Sequence, residues 1–359
     1  MSLVRLEVAQ FRNLAQVQFE PGSQINLIHG ANGSGKSSLL VAIFVLGRGR
    51  SFRTQRTRRL VKDNEESATV FGQTRSGSRL GVLKQLSGNT DARINGMTAP
   101  TLSALAHHLP LQLFDPETLD LVSGPSLPRR QLLDWGVFHV EPDFLEVWQR
   151  ARRALQQRNS LLKSAKISIV ELNVWEQELA TAATALHAFR EQLMLRWLPE
   201  LRRSLMSILP ESDLSVEYYP GWDLAQDYRS LLTESRGKDR ERGFTFFGPQ
   251  RADLKIRSHG IAAEERLSRG QLKLAACSVK LSLSDWLKQT LGLSPVLLFD
   301  DLASELDMEA RAKICKWVEE MSVQAFFTSI ERTQLLGLWS EQAVKLFHVE
   351  QGCVVLEST

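Results

Sequence analysis

The stretch INLIHGANGSGKSSLL, residues 25–40, decides the fold. Ile25 to Ile28 form an apolar run of strand type. Gly30-Ala31-Asn32-Gly33-Ser34-Gly35-Lys36-Ser37 then fits the pattern Gly, four residues, Gly-Lys-Ser/Thr, and a helical run begins. Three glycines let the backbone curl so that successive N–H groups face one concavity, and the helix start adds its positive end. Lys36 is placed to reach the β- and γ-phosphates and Ser37 to offer its hydroxyl to Mg²⁺. A flexible glycine turn before an ordinary helix is the plain alternative. The order strand, loop, helix is the context a phosphate-binding loop requires, and it favours the loop.

Working outward, the run Pro295 to Phe299 reads as a buried strand ending in Asp300-Asp301. An acid at the C-terminal end of such a strand is the second half of a nucleotide site, because open parallel sheets bind ligands at those ends. Asp300 is expected to hold Mg²⁺, directly or through water, and Asp301 to orient or deprotonate the attacking water. Lys36, Asp300 and Asp301 are therefore the candidate catalytic residues. In the transporter and chromosome-segregation ATPases the second acid is usually glutamate. Aspartate is one methylene shorter, so slow hydrolysis is expected.

About thirty residues before that strand lies Leu267-Ser268-Arg269-Gly270-Gln271, opening a helix. It resembles the Leu-Ser-Gly-Gly-Gln signature of the ABC-type ATPases, with Arg269 in place of the first glycine. A serine N-cap on an ordinary helix is the plain alternative. In the ABC-type proteins the serine and glycine bind the γ-phosphate held on a partner subunit. That resemblance implies that one chain carries half of each of two ATP sites and that ATP joins two copies. The nucleotide-contact set it implies is residues 30–37 with Ser38, Ser268, Gly270, Gln271 and Asp307.

The remaining features bound the class. With 359 residues, 43% of them apolar and 24% charged, the chain has ample core for one large domain or two ordinary ones. No apolar run approaches a membrane span, and the N-terminus lacks the basic and apolar regions of a secretory signal, so no membrane association and a cytoplasmic location are expected. Cys277, Cys315 and Cys353 are widely spaced and odd in number, unlike a disulfide framework or metal pair. The net charge of +3 is modest, but Arg48, Arg50, Arg53, Arg56, Arg58 and Arg59 fall within twelve residues uninterrupted by an acid. Such a cluster is either a solvated face or a contact for phosphate or nucleic acid, and these six are the candidate DNA-binding residues.

In chain order, Val4, Leu6 and Val8, then Val17 and Phe19, alternate as a strand pair around a turn near Asn13. Short strands over residues 68–97, with an Asn95-Gly96 turn, predict an antiparallel lobe. Leu109 to Asp115 reads as a strand ending at Pro116, in which Gln112 is either a contact to Mg²⁺ or water or a polar residue at the core's edge. A loop then carries Gly124-Pro125 and Arg129-Arg130. Residues 144–209 predict two packed helices, with Leu172, Trp175, Leu179, Ala182, Leu186, Phe189 and Leu193 on one seam. Arg150, Arg152, Arg153 and Arg158 are expected on a solvated flank. Ser235 to Gly243 is taken as the return from this insertion, and Phe244 to Ile256 as strand, turn, strand. The predicted class is α/β, a P-loop ATPase head of ABC type with an antiparallel β lobe and an inserted helical domain. Its parts are residues 1–118, 119–240 and 241–359.

Several further segments carry a resemblance that spans the whole chain. They are Gly49 to Thr54, Pro116-Glu117, Gly124 to Asp134, Gly248 to Leu254, Ser268 to Lys273 and Leu298 to Asp307. Together they resemble the RecF family of bacterial DNA replication and repair proteins. The resemblance implies a head like that of the chromosome-segregation ATPases without the long coiled coil, and an ATP-dependent homodimer. It also implies binding to double-stranded and gapped DNA, and work with RecO and RecR to load RecA. The family often has Gly-Pro-His-Arg-Asp-Asp where this chain has Gln250 and Ala252, which leaves the roles of those two positions open. A transporter's nucleotide-binding subunit shares the loop, signature and acidic strand, but the helical block of roughly 65 residues and the arginine run disfavour it. A non-hydrolysing assembly module that uses ATP as glue is the second alternative.

Overall fold

The computed structural model describes residues 2–164, 168–340 and 344–357. They form two compact units, Met1–Thr118 with Arg269–Thr359, and Leu119–Ser268.

The first unit carries two sheets. One is antiparallel, in the order β2-β1-β4-β5-β6-β7. Its strands are β1 (Leu3–Phe11), β2 (Leu14–Phe19), β4 (Ser67–Thr74), β5 (Arg79–Gln85), β6 (Thr90–Ile94) and β7 (Met97–Thr98). Leu6 and Val8 face the core as the alternation predicts, but Leu3 rather than Val4 is fully buried. A register shift between Leu3 and Arg5 in the pairing with β4 explains it, since one extra residue moves the following side chains to the other face. Asn95 and Gly96 both have positive φ, 54° and 85°, as a two-residue hairpin turn with right-handed twist needs.

The other sheet runs β15-β14-β3-β13-β12-β8. It comprises β3 (Ile25–His29), β8 (Leu111–Phe114), β12 (Val296–Phe299), β13 (Ala325–Ser329), β14 (Val344–Glu350) and β15 (Cys353–Glu357). Strands β14, β3, β13, β12 and β8 are parallel neighbours, and β15 closes one edge antiparallel. All four residues of β12 are buried, as expected of a strand covered on both faces. Register places Phe299 opposite Phe114 on one side and Phe327 on the other. The three rings stack at 4.2 and 4.3 Å between centroids. This ladder aligns the C-terminal ends of three strands, so whatever follows Phe299 emerges beside the end of β13, one strand from the end of β3. The helix Lys36–Arg48 is buried nearly all round and shares one core with residues of both sheets, including Leu6, Val70, Leu111 and Val296.

The second unit is mostly helical, with helices Ser126–Val140, Phe144–Leu162 and Ile169–Ile208. It also holds a small antiparallel sheet of β9 (Leu214–Tyr219), β10 (Asp253–Ser258) and β11 (Ile261–Ala262). Because β9 pairs with β10 from Leu214–Ser258 to Tyr219–Asp253, residues 241–268 fold with the insertion and not with the head as the boundary at 240 supposes. Two local expectations also change. Residues 236–242 form a helix, and of the two strands expected over residues 244–256 only the second forms, the first being replaced by an irregular segment and a 3₁₀ turn at Pro249–Arg251. Arg129 and Arg130 lie on a helix rather than a loop. Arg129 makes a two-pronged pair with Asp253 at 2.6 and 3.1 Å, and Arg130 donates to the Ala252 carbonyl at 2.8 Å. The Gly124–Asp134 and Gly248–Leu254 segments thus lock onto each other.

Arg158 is not on a solvated flank. It is fully buried between the two long helices, donating to Glu176 at 3.2 Å, Asp239 at 2.8 Å, Thr245 at 2.7 Å and the Leu232 carbonyl at 2.9 Å. Arg236 adds a second cation to Glu176. Removing one partner of such a cluster leaves buried charge uncompensated. Arg158→Ala is therefore expected to lower unfolding free energy by about 3–5 kcal/mol in urea denaturation. Arg150→Ala, whose pair with Glu178 is exposed, should leave it nearly unchanged.

Candidate nucleotide-binding site

The site is assembled within the first unit, at the C-terminal ends of β3, β12 and β13. β3 is followed by a loop whose backbone only glycine can follow. At Gly30, φ is 148° and a Cβ would lie 2.2 Å from the Val349 carbonyl oxygen; at Gly35, φ is 126°. The loop leads directly into the helix beginning at Lys36. The Lys36 ammonium donates to the carbonyls of Gly30 at 2.7 Å and Ala31 at 2.9 Å, which holds it over the loop.

Asp300 follows β12 and is 2% exposed. Its Oδ1 accepts from the Ser37 hydroxyl at 2.9 Å and the Thr328 hydroxyl at 3.1 Å, and its Oδ2 from the Arg53 guanidinium. Asp301 is held in the left-handed region, φ 59°, with its N–H donating to Thr328 Oγ1 at 2.9 Å. Aspartate tolerates this conformation better than most residues. A hydroxyl and a carboxylate oxygen 2.9 Å apart are hard donors of the kind Mg²⁺ takes alongside water and phosphate, so Ser37 and Asp300 fit that ion.

These residues line a cleft of about 650 Å³ with Arg12, Asn13, Asn32, Gly33, Gly35, Lys36, Ser38, Arg53, Asp301, Thr328 and Ile330 around it. Three cations converge there. Burial pushes the Lys36 amine and the Arg12 guanidinium below their ordinary values, and for Arg12 the neighbouring Arg53 pushes further down. Only Asp300 and Asp301 oppose them among the lining residues, so the cleft favours a polyanion.

The residues 30–38 and the acids 300 and 301 therefore come together, although Gly30, Ala31 and Ser34 support the loop rather than line the cleft. Gly270 and Gln271 are not part of the lining. They stand at the exposed start of the 23-residue helix Arg269–Leu291, directly after exposed Ser268. Asp307 is also outside the cleft and caps the helix Met308–Met321, accepting from Ala310 N–H at 2.8 Å. Gln112 sits in mid-strand on β8, buried and outside the lining, its amide NH₂ without an acceptor among the described residues.

The six arginines divide. Arg48 turns inward, donating to the Leu111 carbonyl at 3.1 Å, and burial pushes its guanidinium down to about 10, so it does not belong to a DNA-facing surface. Arg53 faces the nucleotide cleft. Arg50 is exposed, and Arg56, Arg58 and Arg59 line a second cavity of about 740 Å³ with Arg12, Asn13, Val61, Lys62 and one acid, Asp63.

Sequence reasoning missed Arg12 and Asn13. They occupy the tight turn between β1 and β2, Arg12 at φ 54°, and Asn13 braces the phosphate loop by donating to the Gly33 carbonyl at 3.0 Å and accepting from Ser38 at 2.6 Å. The only local signal was a polar Arg-Asn pair interrupting an alternating strand pattern. Thr328, hidden in an apolar strand, gave none.

A family model described as the RecF/RecN/SMC N terminal domain matches residues 2–355. The DNA replication and repair protein RecF of Chromohalobacter salexigens is 42% identical, the alignment covering 99% of this chain and all of that one. The chain belongs to the RecF family. RecF of Pseudomonas aeruginosa strain LESB58 is 40% identical over 100% of this chain and 99% of its own. Two solved structures of the recombination mediator protein RecF in the RecFOR pathway, RecF-ATPrS and RecF-ATP, superpose with TM-scores of 0.86 and 0.87 at 28% and 27% identity. Each covers 99% of this chain and 98% of the solved one. An Smc head bound to the C-winged helix domain of ScpA matches at TM-score 0.62 and 15% identity over 100% and 98% of the chains, a likeness of fold. The head fold with its β lobe is thus an SMC-like ATPase head. Among the described residues no helix is long and apolar enough to cross a membrane.

Two substitutions separate contact from support. Lys36→Ala is expected to abolish binding of a fluorescent ATP analogue. Asn13→Ala, which loses two bonds that brace the loop, should weaken it by roughly tenfold and lower the melting temperature slightly without unfolding the chain.

Proposed function

We propose that this chain is an ATP-controlled DNA-repair switch: it binds Mg-ATP in the cleft, dimerises on it, grips DNA, and releases it on slow hydrolysis. The observation that carries the reading is the convergence of Lys36, Arg53, Ser37 and Asp300 on one cleft at the end of a parallel sheet, in a chain similar along its whole length to proteins named for DNA replication and repair. The solved relative RecF-ATP supports ATP as the ligand.

In this account the loop N–H groups and Lys36 hold the β- and γ-phosphates, and Ser37 with Asp300 hold Mg²⁺. The ion supplies charge neutralisation on the phosphates. Asp301, fixed by Thr328, orients the attacking water. Arg53 shares Asp300 and is placed to move onto phosphate oxygens.

Dimerisation is supported by the position of the signature. Ser268 and Gly270 are exposed at the start of a long helix, where backbone N–H groups favour an anion. A Cβ at Gly270 would meet nothing within 4 Å among the described residues, which give the glycine no steric reason. Close approach of a second copy's γ-phosphate supplies one.

DNA contact is assigned to Arg50, Arg56, Arg58, Arg59 and Lys62, which stand outside the nucleotide cleft. Such contacts are to phosphate, so affinity should fall steeply with salt. Gapped or junction DNA as the preferred form, RecO and RecR as partners, RecA loading and a cytoplasmic location belong to the same reading, supported by kinship with proteins of the RecFOR pathway.

Light scattering with ATP, ADP or no nucleotide tests the switch. Wild type should dimerise with ATP alone, and Ser268→Ala should bind ATP but remain monomeric. A Ser268→Ala chain that dimerises like wild type refutes the shared site.

A further inference from the structure

The helical unit displays a cluster that the nucleotide switch does not use. Phe244 and Phe246 are 39% and 38% exposed, whereas Thr245 between them is buried and Phe247 packs partly into the unit's core. The exposure is built, not incidental. Thr245 is gripped from below, its N–H donating to Asn159 at 2.8 Å and its hydroxyl taking a bond from buried Arg158 at 2.7 Å. Phe246 N–H donates to Asp239 at 3.1 Å, and the Phe247 carbonyl accepts from Tyr228 at 3.0 Å. Gln250, at the position that departs from the family pattern, donates its amide to the carbonyls of Thr245 at 3.2 Å and Phe247 at 3.0 Å. A rigid frame therefore presents two phenyl rings outward.

Cations surround them. The Arg242 guanidinium lies 4.4 Å from the Phe246 centroid, and that of Arg251 lies 5.3 Å from Phe246 and 5.7 Å from Phe244. Lys238 and Arg240 are exposed on the adjoining helix, in which Glu241 is the one exposed acid; Glu234 just before it is exposed too. Flat apolar faces set among positive charges match a ligand that brings flat apolar faces on a negatively charged backbone. Duplex DNA hides its base faces, so the rings add nothing to what the surrounding cations offer it. Unpaired bases offer them freely.

We propose that Phe244, Phe246, Arg242 and Arg251 form a stacking platform for unpaired nucleotides of single-stranded nucleic acid. It rests on the DNA-binding reading above and adds a second contact, one that tells single from double strand. The platform accounts for two exposed phenylalanines held in place by buried hydrogen bonds, which an ordinary solvated loop does not need.

Fluorescence anisotropy of the full chain with labelled oligo(dT), and separately with a blunt duplex of equal length, tests it. The double variant Phe244→Ala/Phe246→Ala also removes the packing of these half-buried rings on Arg242, Arg251 and Phe247, so its melting temperature should fall, and both affinities are read well below its transition. Its oligo(dT) affinity should fall by roughly 5- to 150-fold, the range for losing one stacked base, with duplex affinity unchanged. Phe246→Tyr, which keeps the ring, should retain oligo(dT) binding. Unchanged oligo(dT) affinity, or an equal loss for oligo(dT) and duplex, overturns the platform. So does loss of binding to an acidic, phenylalanine-ended peptide with oligo(dT) unaffected, which makes the face a protein dock. If wild type binds no duplex with ATP, it is the switch reading that fails, whatever the double variant does to oligo(dT).

Discussion

The Asp300 carboxylate is almost wholly buried, yet it carries hydrogen bonds from Ser37, Thr328 and Arg53, groups delivered by the phosphate-loop helix, by β13 and by the arginine-rich segment. A buried carboxylate costs several kcal/mol unless paired and hydrogen-bonded. Those three donors offset that cost and, in doing so, fix the spacing between the two halves of the nucleotide site. The stacked Phe114, Phe299 and Phe327 rings hold the strand ends on which this depends. Lys273 and Lys280, on the helix that opens with the signature, bond to the carbonyls of Asp115 and Leu113 at the end of β8. The signature helix is thereby tied to the same sheet.

From this node the electrostatics of the cleft follow. Arg12, Lys36 and Arg53 are held close together, and burial disfavours the charges on Arg12 and Lys36. The arrangement stores a preference for a multiply charged anion. Binding such an anion relieves mutual repulsion among cations that the fold itself has assembled. On the proposed reading, the energy of nucleotide binding is expressed as association of two copies rather than as rapid turnover.

The phosphate loop was legible from the sequence because everything it needs is local: four strand residues, three glycines, Lys36 and Ser37. The acidic pair was legible for the same reason. What escaped depended on partners far along the chain. Arg158 read as solvated because Glu176 and Asp239, which bury it, are 18 and 81 residues away. Arg48 read as surface because the Leu111 carbonyl that it meets lies on β8, 63 residues along the chain. The boundary at 240 failed because the pairing of β9 with β10 spans a helical pair, and strand pairing at that separation leaves no local trace. Arg12 and Asn13 became visible as site residues only when β1 and β2 brought their turn against the phosphate loop.

The central claim is that each ATP site is completed by the signature of a second copy. Sedimentation velocity on an equimolar mixture of the Lys36→Ala and Ser268→Ala chains with ATP tests it most directly. Each variant alone has two broken sites and should sediment as a monomer. Their mixture can build one intact site, from the Ser268→Ala chain's phosphate loop and the Lys36→Ala chain's Ser268, and should contain a dimer holding one ATP. A mixture that stays monomeric under conditions in which wild type dimerises contradicts the shared site.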